Sequence, residues 1–247
     1  MLNEKELEQL RKNALVHKKV FKTILEIIKP GTTAIEINNL CGAIAKEHDV
    51  LCGFKGVYDF PANICISVND VVVHGLPRPG LVFKKGDLVT FDFGIKDNKY
   101  GVNTDAAISL IVGGDEANPI GAKLINANKK ALYAGISKAR AGNTVGDISA
   151  AIQAEIEGAG FYVVKDLTGH AIGKKLHEKP YIPNFGKAGA GVKLVPGMTL
   201  AIEPILGETS GKIVDEGDWE IYIEDGSLGS QYEHTILVTE GEPEIIV

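Results

Sequence analysis

Between Glu4 and Ile28 the apolar residues Leu7, Leu10, Ala14, Phe21, Leu25 and Ile28 recur at helical spacing, and Pro30-Gly31 closes the run. The pattern predicts an amphipathic helix. A second helix is expected after Thr33, whose hydroxyl can form a capping box with Glu36, and it should run to about Glu47. The segments Ile64 to His74 and Leu88 to Ile95 are rich in Val, Ile and Phe with partial alternation, and both are expected as strands. Gly80 and Gly86 punctuate the connection between them.

The same order then returns. A helix is expected from Ile120 to Ala139, a break at Ala141-Gly142, a helix from Thr144 to Glu157, and strands after Gly160. A shift of 111 positions carries Gly31, Thr33, Glu36 and Ile37 onto Gly142, Thr144, Asp147 and Ile148. The same shift carries Gly86 through Asp92 onto Gly197 through Glu203. Asp105-Ala-Ala-Ile108 matches Glu233-His-Thr-Ile236 only if 17 residues are inserted before it in the second half. The expectation is an α+β chain built from a duplicated helix-helix-strand unit, with helices on one face of an antiparallel or mixed sheet. The halves divide near 115/116 and form one unit over residues 1–247, and each supplies two acidic residues at corresponding strand positions.

Composition narrows the surroundings. A formal charge of −6 removes a global electrostatic reason to expect nucleic acid or an anionic membrane as the main partner. Cys41, Cys52 and Cys65 are odd in number and lack the short paired spacing of a zinc site or disulfide framework, which suits a reducing compartment. The first residues lack the apolar core of a secretory signal, and no stretch reaches the roughly 20 apolar residues needed to span a bilayer. A cytoplasmic protein is expected.

Asp92 and Glu203 are carboxylates embedded in strand-like apolar sequence. One alone is explained by a solvated strand face or an ordinary ion pair. Four acids, Asp92, Asp105, Glu203 and Glu233, brought around one axis concentrate like charge and demand cations. Two dications would balance them, with His170 as a neutral candidate to complete the set. Oxygen ligands with one nitrogen suit Mn(II), Fe(II), Co(II) or Zn(II). Two such ions roughly 3.5–4 Å apart can share a hydroxide and polarise a carbonyl, the chemistry of amide hydrolysis. Asp97-Asn98 is explained by a polar turn, whereas Asp105 starts the apolar run Ala106 to Leu110.

Six segments in order carry a resemblance over essentially the whole chain: Cys65 through Pro77, Gly86 through Asp92, Thr104-Asp105-Ala-Ala107, Gly169-His170-Ala-Ile-Gly173 with His177-Glu-Lys-Pro180, Gly197 through Pro204, and Gln231-Tyr-Glu233-His-Thr235. The chain resembles the type I methionine aminopeptidases of the creatinase, or pita-bread, family. The resemblance implies that fold, two divalent metal ions and removal of N-terminal methionine before a small second residue. It implies that Asp92 chelates one metal, that His170 and Glu203 belong mainly to the other, and that Asp105 and Glu233 bridge. Glu203 would also relay a proton as general base, His177 would hydrogen-bond the scissile carbonyl or the oxyanion, and His74 would sit beside the substrate's second residue and assist proton transfer or positioning. Phe54, Val57, Phe60, Cys65, Leu176 and Trp219 would surround the methionine side chain, a site whose apolar character suits a thioether. Read without the resemblance, these six are plain core. His17, His48 and His234 are expected to have only local hydrogen-bonding roles, with His234 on the strand face opposite Glu233.

Two departures stand out. Val57-Tyr58-Asp59-Phe60 replaces a stretch that often carries another aromatic or histidine, and the 13 positions from Asp92 to Asp105 are two more than many relatives show, expected as a longer hairpin. The implied partners are N-terminal methionyl peptides and nascent chains met at the ribosome, with a monomeric enzyme, no nucleic acid as substrate and no membrane. Leu2 is larger than the second residue such enzymes accept, so Met1 should be retained. The alternatives are an X-Pro aminopeptidase or dipeptidase of the same fold, which would usually carry an additional N-terminal domain, and a non-catalytic peptide-binding relative, which would be expected to lose metal ligands.

Overall fold

Four helices begin where side chains satisfy their free amides. The computed structural model describes residues 1–247 and places α1 at Glu4–Ile27, α2 at Ala34–Glu47, α3 at Pro119–Lys138 and α4 at Val145–Gly158. Asn3 and Glu6 form a capping box on α1, and Asn118 accepts from Gly121 N at the start of α3. The starts of α2 and α4 are copies of each other. Glu36 accepts from the Thr33 amide and hydroxyl, and Asp147 accepts from the Thr144 amide and hydroxyl, at 2.7–2.8 Å in each case.

The 111-residue shift extends into the backbone hydrogen bonds. Gly31 N donates to Phe83 O and Gly142 N to Leu194 O, and the isolated bridge Thr33–Val82 recurs as Thr144–Lys193. The halves meet in one nine-stranded sheet in which every paired strand is antiparallel. Its centre runs Leu88–Asp97, Asn103–Ile111, Glu233–Leu237, Thr199–Ile202, Thr168–Ala171 and Glu178–Pro183. The junction between halves is the pairing of Asn103–Ile111 with Glu233–Leu237.

Strand alternation separates core from site. Phe91, Phe93, Ile95 and Ala106 pack with Leu10, Ala14, Phe21 and Ile24 of α1 in one core cluster. Leu200, Ile202 and Ile236 pack with Leu124, Leu132, Ile148 and Ile152 of α3 and α4 in a second. Intervening strand residues face away from these helices.

Several expectations need correction. Ile64 to His74 is not one strand: Cys65–Val68 joins the large sheet, the chain turns at Asn69 with φ 56°, and Val71–Val73 pairs with Ile221–Ile223 in a separate small sheet. An Asn tolerates this left-handed conformation, which breaks the strand. Leu25 lies outside the buried stripe of α1 and is 54% exposed. The stripe instead includes Asn13 and His17, both fully buried, which reach the carbonyls of Val102 and Thr104. The 17 extra residues of the second half lie within Pro204 to Tyr232, which holds the short strands Ile205–Gly207, Ile213–Asp215, Ile221–Ile223 and Gly229–Gln231.

Candidate active site

Cross-strand register decides which side chains meet. Cys65 pairs with Asp92, Asp92 with Ala107, and Ala107 with Glu233. Since His234 pairs with Ile202, continuing that register by one residue sets Glu233 opposite Glu203. One row therefore carries Asp92, Ala107, Glu233 and Glu203. The next row carries Gly94 opposite Asp105, with Ala201 opposite both Thr235 and His170. The longer hairpin after Asp92 keeps Asp105 on the same face, and Asp97 stabilises its loop by accepting from the amides of Lys99, Tyr100 and Val102.

Each of the four strand carboxylates has a small or short residue two positions away: Gly94, Ala107, Ala201 and Thr235. A period of two puts each pair on one sheet face, so acidic groups alternate with positions too short to fill the space between them. Thr235 Oγ1 accepts from Asp105 N at 2.9 Å and donates to Asp105 O at 2.7 Å, fixing the junction beneath the acids.

The result is a cavity of about 300 Å³ that gathers Asp92, Asp105, His170, Glu203 and Glu233 on its floor with His74 and His177 on its walls. Asp105, His170 and Glu233 offer ligand atoms within 4.8 Å of one another. His170 Nε2 is 3.5 Å from Glu203 Oε1. His170 Nδ1 meets the Ala171 carbonyl at 3.0 Å; a carbonyl only accepts, so Nδ1 carries the proton and Nε2 presents its lone pair.

No lysine or arginine pairs with these acids; the ion pairs of those residues engage other groups. Burial lifts Asp92 to about 7, against hydrogen bonds with Asp105 and Gln231 that act the other way. Burial, then the charges of Glu233 and Asp92, push Asp105 well above its usual range; burial also raises Glu203, with the charges of Asp92 and Asp105, and Glu233, with those of Glu203 and Asp92. Burial, then His177, lowers His170 to about 3, which keeps its imidazole neutral. Asp92 Oδ1, Asp105 Oδ1 and Glu233 Oε1 are buried without any hydrogen-bond partner. A buried, unpaired acidic cluster is too costly to stand alone, so this donor set fits divalent cations.

His177 packs edge-on against His170 at 4.5 Å between ring centroids and lies parallel to the Tyr58 ring at 5.9 Å. Burial lowers its pKa. His74 opens to solvent at the cavity mouth with φ 58°, and surrounding protein followed by His177 lowers its pKa. Phe54, Val57, Phe60, Cys65, Leu176 and Trp219 line the same cavity and form one apolar cluster. Phe60 meets Trp219 edge-on at 5.3 Å, and burial holds the Cys65 thiol protonated. The other histidines lie elsewhere: His17 reaches Thr104 O, His48 meets Lys19 Nζ, and His234 meets Tyr133 on the opposite face.

Sequence reasoning missed Gln231, whose Nε2 donates to Glu203 at 3.1 Å and Glu233 at 3.5 Å, although it opens the segment Gln231-Tyr-Glu233-His-Thr235. It also left Tyr58, Asp166, Thr168 and Tyr181 without roles, and all four line the cavity. Only Tyr58 carried a signal, as part of the departing Val57–Phe60 stretch.

Comparison with known proteins identifies the family and the fold. The description "metallopeptidase family M24" matches residues 8–240. A methionine aminopeptidase of Clostridium perfringens is 40% identical over 99% of this chain and 96% of its own length. The crystal structure of a methionine aminopeptidase from Thermotoga maritima superposes with a TM-score of 0.95 at 38% identity, covering 99% of this chain and 97% of that one. A Xaa-Pro dipeptidase from Bacillus anthracis superposes with a TM-score of 0.77 at 25% identity, and only 61% of that longer chain is covered. The pita-bread architecture is common to this chain and both of these solved structures, and with a family match across nearly its whole length this chain belongs to metallopeptidase family M24.

Proposed function

We propose that this chain, acting as one catalytic unit with halves 1–115 and 116–247, removes N-terminal methionine from peptides and nascent chains whose second residue is small. The observation that carries the reading is an apolar pocket opening directly onto a buried, uncompensated acidic cluster. Asp92 would hold one divalent cation, His170 and Glu203 the other, with Asp105 and Glu233 shared. When bound, the pair supplies an activated water and polarises the scissile carbonyl.

The protein's own groups do the rest. Phe54, Phe60, Leu176 and Trp219 with Val57 and Cys65 bury the thioether and exclude water from it. Glu203, held by Gln231, takes the proton of the attacking water and returns it to the leaving amine. His177 donates to the carbonyl oxygen as it becomes an oxyanion, braced between Tyr58 and His170. His74 positions the second residue at the mouth. The oxygen-rich set with one imidazole favours Mn(II), Fe(II), Co(II) or Zn(II).

The cysteines Cys41, Cys52 and Cys65 are all free, which supports a cytoplasmic setting, and no helix is long and apolar enough to cross a membrane. The partners are nascent chains met at the ribosome by a monomer, with neither nucleic acid nor membrane as substrate. Parallel assays of Met-Ala-Ser and Ala-Pro peptides test the reading. Release of methionine from the first and no cleavage of the second is expected; the reverse pattern would transfer the chain to the X-Pro peptidases.

A further inference from the structure

Another buried carboxylate, Glu220, lies beside the cavity but does not line it. Glu220 sits where the small sheet ends: Ile221 pairs with Val73, and beyond that pair the two strands diverge, one through Glu220 to Trp219 and the other to His74. Both of these residues line the cavity, and both hold left-handed backbone, φ 85° for Trp219 and φ 58° for His74. Neither is a glycine or asparagine, so each conformation persists only if its surroundings enforce it.

Glu220 bridges the gap that the ladder leaves. Its Oε1 accepts from Leu76 N at 3.0 Å, two residues beyond His74. Its Oε2 accepts from Arg78 Nε at 3.1 Å, Arg78 Nη2 at 2.7 Å and the Tyr222 hydroxyl at 2.9 Å. Arg78 Nη2 also reaches Asp218 Oδ2 at 2.6 Å, the residue before Trp219. The underside of the same turn is anchored independently, since Gly75 O accepts from Ile66 N and Gly75 N donates to Ser67 Oγ. A β-carbon at Gly75 would stand 2.1 Å from Ile66 O, so the turn cannot shift inward. Its outward position depends on Glu220. Arg78 is about half exposed, so its ion pair alone contributes little, but Glu220 is only 7% exposed and also accepts from a backbone amide.

We propose that Glu220, with Arg78, is a positioning residue that fixes the spacing of His74 and Trp219 and so the width of the cavity mouth through which the substrate's first two residues enter. This rests on the reading that the cavity takes a methionyl peptide. Loosening the clamp leaves the acidic cluster and His177 in place, so it weakens substrate binding and spares the chemical step.

The test combines kinetics with fluorescence, because Trp219 is the sole tryptophan of the chain. With Met-Ala-Ser, Glu220→Ala is expected to raise KM about tenfold with kcat within about twofold. Glu220→Gln, which keeps an acceptor for Leu76, should fall between it and the unmodified protein. Acrylamide quenching of Trp219 should rise in the same order, while circular dichroism shows folded protein for the Gln variant. Unchanged KM and quenching in the variants would overturn the proposal, as would a loss confined to kcat. If the unmodified protein releases no methionine, the substrate reading fails, and the quenching series alone decides whether the clamp exists.

Discussion

The two halves of this molecule share a scaffold and differ in what they hang on it. In the first, Asp92 and Asp105 are joined by a single hairpin whose ladder runs without interruption from Leu88–Ile111 to Lys96–Asn103. In the second, the corresponding acids Glu203 and Glu233 are separated by an excursion holding four short strands, Trp219 and Glu220. The 111-residue shift also carries His170, on a strand, onto Asp59, in the one-turn helix Val57–Asp59 beside the cavity. Duplication thus accounts for the paired carboxylates. The pocket arises where duplication fails, from the Val57–Phe60 turn on one side and the excursion on the other.

This contrast predicts that changes in the shared scaffold abolish turnover, whereas changes in the divergent parts act on substrate binding. The largest effect is expected for Glu203→Gln or Asp105→Ala, a fall of about 10³-fold or more in kcat/KM, dominated by kcat. Next comes Gln231→Ala: although Gln231 ends the excursion, its amide serves the scaffold acids Glu203 and Glu233, so its loss should lower activity about 10–100-fold, with weaker metal retention measured by elemental analysis. Gly94→Ala reaches the pocket from a scaffold strand: its new β-carbon would stand 2.5 Å from Phe54 Cε1 and push on that divergent ring, so KM for methionyl peptides should rise about tenfold while metal content holds. A kcat loss without a KM change in Gly94→Ala would contradict the division between scaffold and pocket.

The smallest effect is on stability. Without cations the folded protein keeps protons on carboxyls that the unfolded chain releases, with Asp92 at about 7, so stability falls as pH rises through that value. The buried imidazoles His17 and His170, both lowered to about 3, act in the opposite sense, but only below about pH 6.5, where unfolded histidine charges. In chelator, Tm should therefore drop by roughly 2–4 °C between pH 6.5 and 8. Added Mn(II) should raise Tm at pH 8 and flatten the slope, because cation-bound carboxylates are already deprotonated. A Tm that is indifferent to chelator across this window would remove the cations from the account.

The legible parts of the chain were those governed by short-range rules. Helix starts could be read from Thr33-Glu36 and Thr144-Asp147, and the acids from their place in apolar strands. The small residues two positions from each acid were equally visible, yet their meaning depends on cross-strand register, which one strand cannot reveal. The turn at Asn69 was hidden by the apolar runs on either side of it. Arg78 and Glu220 lie 142 positions apart, and nothing local to either points to the other. Buried polar residues on α1 escaped for a related reason: Asn13 and His17 break the apolar stripe, and their carbonyl partners sit in a distant hairpin.

The most direct test is to incubate the protein with Met-Ala-Ser, with and without added Mn(II) after chelation, and to identify the products by mass. The account predicts free methionine and Ala-Ser only when the cation is present, and neither product from Glu203→Gln under the same conditions. Release that persists in chelator, or in the Glu203 variant, would contradict the claim that these five side chains hold the reaction's metal centre.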